Sequence, residues 1–207
     1  MKKVIVYDFD KTLTKHDTLF GFFRHAANKE LSYFFKLPIY VICMVLAKLR
    51  VIDNTTLKKM GVRLFLYGMS KEELEQKAES YKDKIIFNDL YKGLEYKDDV
   101  RYFVVSASFE EYLKPLFPDF VTVIGSKLVY HENAVEGLLL NCYKEVKKEA
   151  LVKRGIEKIC VLFTDSYSDV ALASISEKTV VVNRDGLIEC DNLELFKRVV
   201  KDENFNI

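Results

Sequence analysis

Val4-Ile-Val-Tyr-Asp-Phe-Asp-Lys-Thr-Leu-Thr14 is the stretch from which the rest of this chain is read. An apolar run of strand type stops at Asp8, and a second carboxylate follows two residues later at Asp10. Positions two apart on an extended strand point the same way. This pair stands where the strand ends and the backbone turns, so the two acids can take separate jobs. Carboxylates at the carboxyl end of a buried strand are costly without a partner. A divalent cation is the simplest partner, and hard oxygen ligands suit Mg2+. The competing explanation is an acidic turn ahead of a helix capped by Thr12 or Thr14.

The chain has 207 residues, enough for one good core with room for a substantial insertion. Hydrophobic residues make up 49% and charged residues 30%, the profile of a soluble globular protein. The 32 basic and 31 acidic side chains nearly cancel, so no global basic field is available to hold nucleic acid. Cys43, Cys142, Cys160 and Cys190 are widely spaced and form no C-x-x-C pair. They read as small thiols of a cytoplasmic, reducing environment, without a zinc site. Met1-Lys-Lys3 and the short run to Asp8 do not make a signal peptide. Leu37 to Ala47 is uncharged, but eleven residues of helix fall short of the roughly 20 that a hydrocarbon core requires. That segment is expected either as a buried helix or as a membrane-facing one.

Four near-continuous apolar runs predict parallel strands covered on both faces: Val4 to Tyr7, Tyr102 to Val105, Ile159 to Phe163 and Thr179 to Val182. Helical patterns follow several of them, which predicts an α/β fold with a doubly wound parallel sheet. Ligands gather at the carboxyl ends of such strands, and Asp8, Ser106 and Asp165 stand there. Roughly ninety residues separate the first and second strands, far more than a crossover needs. Residues 15–92 are therefore expected to form an inserted helical cap, with residues 1–14 and 93–207 forming the core. Ser70-Lys-Glu-Glu73 reads as a capping box opening a charged helix towards Lys84, and Ser108-Phe-Glu-Glu111 as another. Val121 to Leu138, with Gly125, His131-Glu-Asn133 and Gly137, reads as a hairpin.

Three further motifs carry chemistry. In Val104-Val-Ser-Ala-Ser108, a hydroxyl and free N–H groups at a helix start suit an anion; Ser108 is assigned as the helix cap and Ser106 is left for the ligand. Asn141-Cys-Tyr-Lys-Glu-Val-Lys-Lys148 supplies lysines that neutralise phosphate as point charges, or that simply line a solvated helix face. Phe163-Thr-Asp-Ser-Tyr-Ser-Asp169 ends the third strand on Asp165, with Asp169 near the first helical turn to ligate or orient. The bland alternative there is an acidic N-cap.

The order D-x-D-x-T, Ser, Lys, D-x-x-x-D resembles the haloacid dehalogenase (HAD) superfamily of Mg2+-dependent phosphotransferases. Its phosphoserine-phosphatase-like branch is more similar still, in Ser106-Ala-Ser-Phe-Glu-Glu-Tyr-Leu-Lys-Pro115, Asn141-Cys-Tyr143, Asp165-Ser-Tyr-Ser-Asp169 and Val182-Asn-Arg-Asp185. The resemblance implies that Asp8 is a nucleophile forming an aspartyl-phosphate. It implies that Asp10 is first acid, then base. Mg2+ would be held by Asp8, the backbone carbonyl of Asp10 and Asp165, with Asp169 in support. Ser106, Lys147 and Thr12 would bind the phosphate. The chain departs from the family pattern at Lys11 and Lys144, where Gly is frequent, and at Thr164, which replaces a common Gly. Lys144, Lys147 and Lys148 compete for the phosphate-lysine role, and spacing from Asn141-Cys-Tyr143 favours Lys147.

The expected activity is hydrolysis of a small-metabolite or lipid-like phosphate ester. Transfer to an acceptor alcohol other than water is the alternative, and a non-catalytic binding protein of the same fold is another. Arg24, Arg50 and Arg63 are candidates for meeting a small charged substrate. Against them, residues 33–47 are aromatic-rich and apolar, with Lys29, Lys36, Lys48 and Arg50 on the flanks, a pattern suited to peripheral contact with anionic lipid. The cap is also similar to that of the phosphatidylglycerophosphatase-C type of HAD phosphatase. The simpler account is that this run forms the core of the cap bundle.

Overall fold

The computed structural model describes residues 2–27 and 31–204; Lys29 lies outside them. At its centre is a seven-stranded sheet in the order β4-β3-β2-β1-β5-β6-β7. The strands are β1 (Lys3–Tyr7), β2 (Val100–Phe109), β3 (Val121–His131), β4 (Ala134–Leu140), β5 (Ile159–Thr164), β6 (Ser176–Asn183) and β7 (Gly186–Cys190). The five inner strands run parallel, and β4 and β7 close the edges antiparallel. All four expected parallel strands are present. Their continuous apolarity has the expected cause, because side chains from successive positions enter different cores. Val4, Val6, Phe103 and Val105 meet one cluster, while Tyr7, Tyr102 and Val104 meet the other.

The first cluster is closed by α7 (Glu145–Val152), α8 (Val170–Ala173) and α9 (Leu193–Asn204), through Leu151, Leu172, Phe196 and Val200. The second is shared with helices inserted between β1 and β2: α1 (Leu19–Ala26), α2 (Leu31–Lys48), α3 (Asn54–Phe65), α4 (Lys71–Tyr81) and α5 (Asp89–Lys92). Asp53 caps α3 by accepting from Thr56 N at 2.6 Å, and Ser70 caps α4 from Glu73 N at 3.1 Å, as its capping box predicts. The chain leaves and rejoins the sheet side by side. Lys15 N donates to Ile86 O and Asn88 N to Leu13 O, so both connections to the helices are tied at one neck.

Two expectations change. The box at Ser108 is not a cap: β2 continues through Phe109, and α6 (Glu110–Leu113) begins there without a side-chain cap. The Ser108 hydroxyl donates instead to the Asp10 carboxylate at 2.6 Å, a charge-assisted bond stronger than the neutral one a cap would make. The backbone bulges here, and β3 can pass only because Gly125 has no side chain; a Cβ would meet Ser108 O at 2.6 Å. Second, the 33–47 run is not simply bundle core. It belongs to a helix that starts at Leu31 and contains Pro38; Tyr33, Tyr40 and Cys43 are buried, while Phe34, Phe35, Ile42 and Val45 are exposed.

Candidate active site

β1 and β5 are neighbours whose following connections leave in opposite directions, the switch point at which a doubly wound sheet opens a crevice. Asp8 follows β1, and its N–H still pairs with Phe163 O at 2.9 Å, so the carboxylate is fixed at the strand end. Lys147, in the first turn of α7 and only 2% exposed, lies 2.8 Å from Asp8 Oδ1 and 2.7 Å from Asp169 Oδ1. Burial opposes charge on this lysine, but Asp169 and Asp8 outweigh it and hold the ammonium well above the usual lysine range. The geometry therefore separates the three competing lysines. Lys144 is exposed over the Tyr143 ring, and Lys148 reaches Ser174 Oγ at 3.5 Å.

Asp169 is fully buried, and its other oxygen accepts from Thr164 Oγ1 at 2.7 Å. The threonine that departs from the family's glycine thus supplies a hydroxyl to the acid. Asp165 stands nearer solvent, with Thr12 Oγ1 donating to it at 3.4 Å. Burial, then the charges of Asp8 and Asp169, push the Asp165 carboxyl up to about 8. Burial raises Asp169 too, with Lys147 opposing and Asp8 adding to the rise.

Three carboxylates thus crowd one buried ammonium, and the resulting repulsion calls for more positive charge. Hard oxygen donors in that state fit a small divalent cation. No three-acid cage stands ready-made among the described residues. This is compatible with Mg2+, which usually keeps several waters and takes few carboxylates.

Asp10 diverges from Asp8. Its Oδ1 accepts from Thr18 N at 2.7 Å and Thr18 Oγ1 at 2.6 Å, and its Oδ2 accepts from Ser108 Oγ. Burial, then the charge of Asp17, push this carboxyl up to about 7 against those three hydrogen bonds. Thr18 is itself held from the helices, since Tyr81 Oη donates to Thr18 O at 2.8 Å. Ser106 is 1% exposed on β2, beside β1, and its Oγ accepts from Ser108 N at 3.0 Å.

Lys11 and Lys144 both have positive φ, 60° and 53°. A conformation that favours glycine at the two turns explains why Gly is frequent there in the family.

Sequence reading missed Lys58. It comes from α3, is 3% exposed, and its Nζ donates to Ala107 O and Asn141 Oδ1 at 2.5 Å each and to Ser126 Oγ at 3.2 Å. Asn141 answers with Nδ2 donated to Asn54 Oδ1 and Thr55 Oγ1. Together these bonds fasten the first turns of α3 to the end of β2, to β3 and to the loop after β4. The readable signal was a lysine in the apolar stripe that continues through Val62 and Phe65. Burial pushes its ammonium down to about 8. Arg24, Arg50 and Arg63, the cations singled out earlier, are all exposed. Lys58→Met is expected to cost about 2–4 kcal/mol in urea denaturation, because it leaves buried acceptors without a donor. An unchanged midpoint and slope would contradict this fastening role.

Solved structures that share the fold include the following three. A protein of unknown function from Bordetella pertussis Tohama I aligns with a TM-score of 0.72 at 15% identity, over 87% of this chain and 90% of that one. A phosphoserine phosphohydrolase-like protein from Francisella tularensis subsp. tularensis SCHU S4 gives 0.61 at 17% identity, over 87% of each. A phospho-aspartyl intermediate analogue of phosphoserine phosphatase gives 0.57 at 20% identity, over 87% and 86%. No curated protein matches the chain in sequence. The family model for haloacid dehalogenase-like hydrolases matches residues 5–174, a span holding every acid and lysine of the crevice described above, and the chain belongs to that family.

Proposed function

We propose that the protein is a Mg2+-dependent phosphomonoesterase working through an aspartyl-phosphate on Asp8. The observation that carries this reading is the divergence of the two N-terminal acids. Asp8 faces Lys147, while Asp10, two residues away, is turned into a separate pocket where burial raises its proton affinity against three hydrogen bonds.

An Asp8 oxygen attacks phosphorus as the bond to the leaving oxygen breaks, and Asp10 gives that oxygen its proton. Asp10, now a carboxylate, takes a proton from the water that attacks phosphorus and releases Asp8. Lys147 and the Ser106 hydroxyl hold phosphoryl oxygens, and Thr12 borders the same site beside Asp165. Asp8, Asp165 and the backbone carbonyl of Asp10 would hold the metal. Asp169 supports the site by orienting Lys147. When bound, Mg2+ supplies charge neutralisation between these carboxylates and the phosphate.

The substrate is a small-molecule or lipid-like phosphate ester, and the helices inserted between β1 and β2 act as the cap that selects it. Phosphate release from a generic aryl phosphate, with Mg2+ and with a chelator, tests the reaction. Turnover indifferent to both chelation and the loss of Asp8 would sink it. A screen of metabolites against lysophospholipid phosphates, run with acceptor alcohols present, separates substrates and distinguishes transfer from hydrolysis.

The raised proton affinity of Asp10 gives the two half-reactions opposite pH limbs. Aspartyl-phosphate formation needs Asp10 protonated, so its rate falls about tenfold per unit as pH rises above about 7. Breakdown needs the carboxylate and falls as pH drops below that value. Single-turnover rates measured against pH should show both limbs in the wild type and neither in Asp10→Asn.

A further inference from the structure

We infer that the outer face of α2 is a docking surface for an anionic lipid bilayer. The helix is 18 residues long, about 27 Å. Its inner stripe, Tyr33, Tyr40 and Cys43, is buried against the other helices. Its outer stripe carries Phe34, Phe35, Ile42 and Val45, which are 62%, 72%, 60% and 53% exposed, and Leu49 and Val51 continue it beyond the last turn. Large apolar groups left this far out along one continuous face mark a surface that meets something apolar.

Charge identifies what that is. Lys48 and Arg50, both exposed, accompany the stripe at its C-terminal end, and residues 31–52 contain no Asp or Glu. A second copy packed on this face would bring two more cations to it, with no acid on either helix to pair any of them. A negatively charged apolar layer satisfies both features: the rings and aliphatic side chains enter the acyl boundary while the cations meet lipid phosphates. No helix among the described residues is long and apolar enough to cross a membrane, so α2 lies on the layer.

The test is flotation of the whole protein with vesicles of equal parts phosphatidylcholine and phosphatidylglycerol, against pure phosphatidylcholine. The wild type should float with the anionic vesicles and release as salt rises. Removing charge in Lys48→Gln/Arg50→Gln should weaken binding about fivefold per cation. Phe35→Ser/Ile42→Ser should weaken it about tenfold or more. Unaltered turnover of a soluble aryl phosphate shows these variants to be folded, so docking and hydrolysis fail independently. Absence of flotation at low salt would overturn the inference, as would undiminished binding by Phe35→Ser/Ile42→Ser. A concentration-dependent dimer abolished by the same pair would overturn it too, by giving the face to a second copy.

Discussion

Asp8→Asn should lower phosphate release by about 10⁴-fold or more while leaving the fold intact. The amide is the same size, so the tight β1–β5 packing is undisturbed. It lacks the negative oxygen needed to attack phosphorus. Stability should hardly fall, because Lys147 keeps its contact with Asp169, and one fewer carboxylate crowds the crevice. Acid quenching during turnover of a radiolabelled substrate gives the direct measurement: label stays on wild-type protein and not on the variant. A variant that still carries label would move the nucleophile elsewhere.

Lys147→Met should have the largest effect on stability, about 3–5 kcal/mol near neutral pH, and should also cut turnover by about 10²–10³-fold. In the wild type the ammonium sits between two carboxylates and is itself almost wholly buried. Its proton affinity is raised by folding, so its contribution is present throughout the neutral range and is lost only as pH climbs beyond the usual lysine value. Without it, Asp8 and Asp169 face each other with no counter-charge. The Asp169 carboxyl, raised by burial and held down chiefly by Lys147, is then raised further, which favours the folded state at low pH and penalises it as pH increases. The deficit should therefore be greatest near pH 7 and shrink towards pH 5, and urea denaturation at both values would show it. A deficit that does not change with pH would mean that packing, and not charge, makes Lys147 necessary.

Much of this arrangement was legible because it is local. A strand buried on both faces announces itself by an unbroken apolar run, and the Ser70 box needs only the residues that make it. The hairpin turn has positive φ at Glu132 and Asn133, where its polar residues suggest a turn. What escaped was decided by distant residues. Ser108 has the pattern of a cap, but Asp10, 98 positions earlier, is the better acceptor. Lys58 looked like one of many helix lysines until three acceptors from other elements closed around its ammonium. In α2, hydropathy identified an apolar helix, but which of its faces is covered depends on neighbours such as Phe23 and Phe65. Lys147 is the intermediate case: spacing favoured it for the proposed phosphate role, and burial between two acids sets it apart from Lys144 and Lys148.

The Tyr81 hydroxyl holds the carbonyl of Thr18, and Thr18 holds Asp10. A methyl group at Gly21 would meet that same hydroxyl at 2.3 Å. The three links make a short transmission line from the packing of α1 on α4 to the proton that the proposed reaction spends. Any force that spreads those helices, whether a bulky side chain or an ill-fitting substrate, is felt as a change in the acidity of a group it never touches.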